Sequence, residues 1–448
     1  MKVLKFGGTS VGSAQRMKEV AHLIMEDGQP KVVVLSAMSG TTNKLLEIAG
    51  YLYKHNPEGA NDVINSLEAQ YKKHIAQLYS TDRYREDAAA FLKERFDYLR
   101  SFSKGIFTLY EERKVVAQGE IMSTNMFNFY LHEQGVDALL LPALDFMKTD
   151  KNNEPDMAFI REHIGELLET NAGHRIYVTQ GFICRNAYGE VDNLKRGGSD
   201  YTASLIGAAV NAEEIQIWTD IDGMHDNDPR IVEHTHPVRQ LHFEEAAELA
   251  YFGAKILHPT CVQPAKYAGI PVRLLNTMDP KAPGTIINSE LEEGQIKAVA
   301  AKDDITVVKI KSSHMLLAYG FMRKVFEIFE NYQTSIDMIS TSEVGVSVSI
   351  DNDSNLDRIV AELKKYGTVT VDRDMCIICV VGDLKWSNLG FETLATDALK
   401  DIPVRMISYG GSNFNISFLV SESDKKKALQ NLSDLLFNHQ NDNESHED

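Results

Sequence analysis

The order of apolar and polar positions divides the chain into an alternating half and a repeating half. KVLKF opens the first half as a short strand, and Ala14, Met17, Val20, Ala21 and Ile24 then mark one face of a helix over about Ser13 to Glu26. KVVVLSAMSG is a continuous apolar run halted by Gly40, the pattern of a strand buried on both faces. Thr41 and Thr42 are placed to cap the helix that NKLLEIAGYLYK predicts. From about Gly59 to Gly135 the periodicity is helical with no strand signal, and strand-like runs resume with VDALLLPA, HRIYVTQGFI, EIQIWTD and IPVRLL. Strands alternating with helices predict an α/β fold, a mostly parallel sheet between helical layers. Ligands of such sheets collect beyond the carboxyl ends of the strands, so each glycine-rich or acidic turn after a strand is a candidate site.

Past the charged connection SELEEGQIKAV the chain repeats itself. GFMRKVFEIFENYQTSIDMISTSEVGVSVSI and GFETLATDALKDIPVRMISYGGSNFNISFLV both begin Gly-Phe, continue as a helix, reach Met-Ile-Ser and end in an alternating strand. The strands ITVVKI and CIICVV before them, and the helices NLDRIVAELKKYG and DKKKALQNLSDLLF after them, complete two small ferredoxin-like modules. The expected division is residues 1–290 for the α/β domain, 312–374 for the first module, and 296–311 with 375–440 for the second. The polar stretch 441–448 reads as a disordered tail.

Composition narrows the partners. With 448 residues, 43% hydrophobic and 25% charged, the chain has the make-up of a globular protein of two or three domains. A net charge of -18 argues against nucleic acid and anionic lipid as partners, so a small anionic substrate needs a local basic pocket. No apolar run reaches the roughly 18 residues of a membrane span, and no signal-peptide core opens the chain, so a cytoplasmic enzyme is expected. The four cysteines make no disulfide scaffold; Cys376 and Cys379 form a C-x-x-C, but inside MCIICVV it reads as a buried strand.

Four turns carry residues suited to chemistry. In KFGGTSVG, Gly7 and Gly8 let backbone amides approach an anion, while Lys5 supplies a positive charge from the strand before them. The mononucleotide and dinucleotide glycine signatures both fail here, since Ser13 and Ala14 stand where Lys-Ser or Lys-Thr should follow Gly12 and Phe6 replaces a first glycine. Taken alone, the loop is equally a tight turn with an exposed lysine. In LKRGGSDYTAS, Arg196, the pair Gly197-Gly198, Ser199 and Asp200 lead into an apolar helix, a good place for a carboxylate or phosphate, although Asp200 also suits a simple helix cap. In IWTDIDGMHDNDPR, Thr219 and Asp220 end a strand, Asp222, Asp226 and Asp228 follow, and Arg230 closes the loop. Many acids on one loop form a solvated turn, yet one carboxylate beside nucleotide oxygens is also how Mg²⁺ is held. His225, His234, His236 and His242 lack zinc-site spacing. In FGAKILHP, Lys255 offers a second cation for a polyphosphate, or a snorkelling surface lysine. Together these turns suggest phosphoryl transfer by electrostatic clamping.

The motifs KFGGTSV, Gly119-Glu120, KRGGSDYTAS, TDIDGMHDNDPR and GAKILHP occur in the order found in aspartokinases of the amino-acid kinase family, and the C-terminal repeat resembles their tandem ACT modules. The likeness covers nearly the whole chain and is strongest to the monofunctional, lysine-sensitive type. It implies the reaction of ATP with L-aspartate to give 4-phospho-L-aspartate and ADP, with Mg²⁺ bridging the phosphates, at the head of lysine, threonine, methionine and diaminopimelate synthesis. By motif match, Lys5 neutralises the transferring γ-phosphoryl group, Asp200 orients Lys5, and Gly7 and Gly8 contact phosphate. Arg196 binds the substrate α-carboxylate, Glu120 its ammonium, and Ser36, Thr42 and Ser199 supply hydrogen bonds. Thr219, Asp220, Arg230 and Lys255 form the nucleotide side. Many relatives carry Tyr where His225 stands, so His225 is left out of that set. The resemblance further implies L-lysine as inhibitor, bound by Met315, Phe321, Ser335, Ile336, Asp337, Thr341, Ser342 and Glu343 at an ACT interface of a homodimer that can pair into a tetramer. Without the likeness, Thr341 and Ser342 read as a hairpin and Met315 as core. The competing expectations are a related kinase acting on glutamate, acetylglutamate or UMP, and a non-catalytic amino-acid sensor.

Overall fold

The computed structural model describes residues 1–194, 197–253, 258–312 and 319–437. Arg196, Lys255, Met315 and the tail 441–448 lie outside the described residues. The chain forms two compact units, Met1–Met224 with Ile256–Ser289, and His225–Lys255 with Glu290–Asp448. Residues 225–255, drawn with the α/β domain on sequence grounds, thus fold within the second unit. The reason is packing: Val232 is buried with Ile416 and Phe418, and the Asp226 carbonyl accepts a 2.7 Å hydrogen bond from the Val299 amide.

The first unit opens with β1 (Lys2–Phe6), α1 (Ala14–Met25) and β2 (Lys31–Leu35). It continues through α2 (Thr41–Tyr53), α3 (Pro57–Leu78), α4 (Asp82–Ser101) and α5 (Leu109–Glu133) to β3 (Ala138–Leu141). Next come α6 (Ala143–Phe146), α7 (Met157–Thr170), β4 (Ile176–Gln180), the hairpin β5 (Ile183–Arg185) and β6 (Val191–Asn193), then α8 (Gly198–Val210) and β7 (Ile215–Thr219). After β8 (Gln240–His242) and α9 (Phe243–Tyr251), which belong to the second unit, α10 (Pro259–Ala268), β9 (Val272–Asn276) and β10 (Thr285–Asn288) complete the first.

Within this unit the strand order is β3-β4-β2-β1-β7-β9-β10, parallel from β3 to β9 and antiparallel at β10. All five residues of β2 are buried, as its unbroken apolar run predicts for a central parallel strand. The helical stretch between β2 and β3 joins the same core through Leu45, Leu67, Tyr71, Phe96 and Met122. One local expectation fails: α2 is capped by Gly40 at φ 79°, and the Thr41 hydroxyl lies 3.1 Å from the Tyr71 hydroxyl instead. A glycine turn in the left-handed region starts the helix without a side-chain cap.

The second unit contains β11 (Ile296–Lys311), α11 (Phe321–Asn331), β12 (Ile339–Thr341), β13 (Gly345–Ile350), α12 (Leu356–Leu363) and β14 (Thr368–Gly382). α13 (Phe391–Ala398), β15 (Met406–Tyr409), β16 (Asn415–Ser421) and α14 (Lys425–Leu436) follow. Its antiparallel sheet runs β12-β13-β11-β14-β16-β15. The long strands β11 and β14 serve both repeats: Thr306–Lys311 pairs with β13, whereas Met375–Val381 of β14 pairs with β16. Register shifts between Lys302 and Val307 mark the change. The stretch 296–311 is therefore divided between the repeats rather than given whole to the second. Each repeat has its own core, one around Val325, Ile328 and Val348, the other around Ile378, Phe418 and Leu432. Cys376 and Cys379 are buried in β14, and burial pushes the Cys376 thiol up to about 12.

Candidate active site

The carboxyl ends of β1, β2 and β4 and the start of α8 surround a cavity of about 410 Å³. Lys5, Gly8, Ser36, Thr42, Glu120, Ser199 and Asp200 all line it. Residues up to 195 positions apart in sequence are thereby brought to one place. The strand-end rule explains why: β1 pairs with β2 in parallel, so Phe6 and Leu35 lie side by side and both chains turn out of the sheet at the same edge.

Close packing shapes the loop after β1. The Gly8 carbonyl accepts from the Ser39 amide at 3.1 Å, and a Cβ added at Gly8 would stand 2.9 Å from the Ala37 carbonyl oxygen. Only glycine lets the two loops approach this far. The Gly7 amide donates to the Trp218 carbonyl at 3.3 Å, tying the loop to β7 on its other side. The Lys5 ammonium lies 2.6 Å from Asp200 Oδ1, with the two side chains 12% and 14% exposed. Asp200 is in the first turn of α8 but is not its cap; Gly197, at φ 74°, holds that position. The carboxylate is thus free of the capping role that the sequence left open.

Glu120 also lines the cavity, from the buried middle of α5, and is only 4% exposed. Its Oε1 accepts from the Ala37 amide at 3.2 Å, while Oε2 has no hydrogen-bond partner among the described residues. Burial pushes its carboxyl up to about 8, and the Ala37 amide pulls weakly the other way. An unsatisfied buried carboxylate is costly, which makes this oxygen a strong acceptor for a cation that enters the cavity.

Two contributors carry no motif signal. Phe182 lines the cavity at φ 68°, a rare conformation for a bulky residue; its amide donates to Thr202 Oγ1 at 3.0 Å and its carbonyl accepts from the Leu194 amide at 2.7 Å. Ser123 Oγ donates to the Ser36 carbonyl at 2.8 Å, fixing the loop after β2 from the next turn of α5 beyond Glu120. Only a non-glycine residue with positive φ, invisible in sequence, would have singled out Phe182.

The other expected positions separate into groups. Thr219 ends β7 and Asp220 follows, with the Thr219 hydroxyl donating to Asp220 Oδ1 at 3.1 Å. Arg230 belongs to the second unit and is paired there to Asp228, Nε to Oδ1 at 2.9 Å and Nη2 to Oδ2 at 2.7 Å. His225 Nδ1 lies 2.9 Å from Thr235 Oγ1. In the first repeat, Phe321 opens α11 and is buried, Ser335 is exposed and Ile336 half-buried, while Thr341, Ser342 and Glu343 are exposed where β12 turns towards β13. The Asp337 side chain is nearly inaccessible at 1%: its Oδ1 receives Lys302 Nζ at 2.8 Å and the Tyr251 hydroxyl at 2.9 Å.

A sequence model of the amino acid kinase family matches residues 1–276, and one of the ACT domain matches residues 378–436. The chain is 36% identical to Aspartokinase 1, chloroplastic, of Arabidopsis thaliana, over 97% of this chain and 80% of that protein. It is 32% identical to lysine-sensitive aspartokinase 3 of Escherichia coli strain K12, over 97% and 99% of the two chains. Among solved structures, E. coli aspartokinase III in complex with aspartate and ADP (R-state) superposes with a TM-score of 0.85 at 31% identity, covering 98% of this chain and 100% of that one. The same enzyme with lysine and aspartate (T-state) gives 0.81 at 32% identity, covering 98% and 99%.

Proposed function

Since this chain belongs to the aspartokinases of the amino acid kinase family, we propose that the reaction it runs is ATP plus L-aspartate to 4-phospho-L-aspartate plus ADP, the first step of the aspartate-derived amino-acid pathway. The observation that carries this reading is one cavity lined both by a lysine–aspartate pair and by a buried, half-satisfied carboxyl group. The cation side suits the triphosphate, and Glu120 suits the substrate ammonium.

In this reading a β-carboxylate oxygen of aspartate forms a bond to the γ-phosphorus while the bond from that phosphorus to the bridging oxygen of ADP breaks. The nucleophile is already ionised at neutral pH, so no general base is needed. Lys5 Nζ neutralises charge on the transferring group, and Asp200 holds Lys5 in place. The Gly7–Gly8 turn admits phosphate oxygens, Ser36, Thr42 and Ser199 position the substrate, and Arg196 takes its α-carboxylate. Thr219, Asp220, Arg230 and Lys255 make up the nucleotide side. Mg²⁺ would arrive on the ATP phosphates and reduce their charge.

Feedback inhibition by L-lysine belongs to the same proposal, supported by similarity to the lysine-sensitive E. coli enzyme. The ligand would be held by Met315, Phe321, Ser335, Ile336, Asp337, Thr341, Ser342 and Glu343. Asp337 can bind a ligand ammonium only by sharing or releasing Lys302, apart from its Oδ2, which has no partner among the described residues. The exposed edge strand β12 supports a homodimer formed through the ACT modules, with a tetramer as a further step. No described helix is long and apolar enough to cross a membrane, and we place the enzyme in the cytoplasm.

Hydroxylamine trapping of the acyl phosphate tests the reading. Aspartate- and ATP-dependent hydroxamate, suppressed by lysine, is expected. Product with glutamate or acetylglutamate but not aspartate would overturn the substrate assignment, and no product with any of them would leave the sensor reading.

A further inference from the structure

The phosphate loop is anchored by hydroxyl groups that no sequence motif marks. Ser10, in the turn after Gly7 and Gly8, is completely buried, and its Oγ lies 2.7 Å from Oγ1 of Thr277, just past β9. Thr277 Oγ1 in turn donates to the Thr219 carbonyl at 2.9 Å, and the Thr277 amide donates to the same oxygen at 2.7 Å.

The direction of this chain follows from valence. A carbonyl only accepts, so when the Thr277 hydroxyl donates to Thr219 the Ser10–Thr277 bond is donated by Ser10. The relay Ser10 to Thr277 to Thr219 links the two loops through side-chain hydroxyls. Its two ends are functional positions, the loop carrying Gly7 and Gly8 and the strand end carrying Thr219 and Asp220. The Gly7 amide bond to the Trp218 carbonyl fixes the start of the loop to the same strand. Ser10 holds its far side.

We infer that Thr277 is a positioning residue that sets the phosphate loop against the nucleotide end of β7. This rests on the proposed site for the ATP phosphates. Buried hydroxyl relays with both partners satisfied are rigid, and a loop held at Gly7, Gly8 and Ser10 presents its amides in a fixed geometry to the incoming triphosphate. Loss of the relay lets the loop drift on the nucleotide side, while the aspartate side keeps its own anchors through Ser39 and Ser36.

The test compares wild type with Thr277→Val, Thr277→Ser, Ser10→Ala and the double variant Ser10→Ala/Thr277→Val, all as full-length chains. Hydroxamate formation is measured against ATP and aspartate separately, beside thermal unfolding. Thr277→Val is expected to raise the KM for ATP by about tenfold and the KM for aspartate by less than twofold. Thr277→Ser, which keeps the hydroxyl, should return the ATP value to within about threefold of wild type. Ser10→Ala should act in the same direction as Thr277→Val, and the double variant should be no worse than the worse single, because one relay is broken only once. An unchanged KM for ATP in both Thr277→Val and Ser10→Ala would overturn the inference. So would equal rises for both substrates, or a failure of Thr277→Ser to rescue. Should Thr277→Val not fold, Ser10→Ala and Thr277→Ser decide on the same criteria. An inactive wild type would instead strike at the reading of the site itself.

Discussion

At the scale of single residues, the cavity joins a satisfied cation to an unsatisfied acid. Lys5→Ala removes the only cation among the described lining residues, and turnover should fall by about 10²- to 10³-fold with the circular dichroism spectrum unchanged. Glu120 gives a sharper signature. Burial pushes its carboxyl up to about 8 against an ordinary 4.5, so the free enzyme is expected to hold a proton there at neutral pH, one that the substrate ammonium in the proposed role would have to displace. The kcat/KM for aspartate should therefore rise with pH towards about 8, by close to tenfold per unit on the acid side, and then level off. The stability consequence has the opposite sign. The unfolded chain releases this proton near 4.5 while the folded one retains it, so stability is lost as pH climbs from about 4.5 to 8. Glu120→Gln does not titrate and keeps an oxygen for the Ala37 amide. It should raise Tm relative to wild type, by more at pH 8 than at pH 5, while abolishing aspartate-dependent turnover. A Tm gap that does not widen with pH would show that Glu120 is ionised in the free protein.

At the scale of elements, backbone geometry places the site. Gly197 caps α8 at φ 74°, and a Cβ there would stand 2.6 Å from His258 Cβ and 2.8 Å from Cys261 Sγ. Gly197→Ala should cost about 1–2 kcal/mol in left-handed strain and about 1–3 kcal/mol in overpacking, read as a lower urea midpoint. Activity should fall with it, since the same turn delivers Ser199 and Asp200. The elements that sequence spacing predicted well are those with a complete local signal: α1 has all five expected face residues buried, and β2, β7 and β9 follow their apolar runs. The hairpin β5–β6 and the strands β8 and β10 carry no such signal, because three or four residues without an apolar run like that of β3 offer no period to detect. The cap of α2 went wrong because Gly40 was read as a strand stop, and a glycine turn leaves the same trace in either role.

At the scale of the whole molecule, two compact units are linked by more than one passage of the chain, and the proposed inhibition by lysine is a matter of coupling between ligands. By linkage, if lysine lowers the affinity for aspartate and ATP, the two substrates must weaken lysine binding by the same factor. Calorimetric titration of lysine with and without aspartate and a non-hydrolysable ATP analogue should show a lower affinity in their presence; an unchanged affinity would end the coupling proposal. The sequence by itself determined the alternating and repeating halves and the glycine turns, and it marked Lys5, Ser199 and Asp200 as candidates, because residue type and short-range spacing encode them; Glu120 became a candidate only through the family resemblance. The Lys5–Asp200 pair was expected from the resemblance, but only the tertiary structure decided that Glu120 keeps one oxygen unpaired, that residues 225–255 fold with the second unit, and that Ser10 reaches Thr277. The reason is physical: burial and long-range hydrogen bonds depend on which strand ends the sheet brings side by side, and the pairing order of a parallel sheet is not written in any one segment.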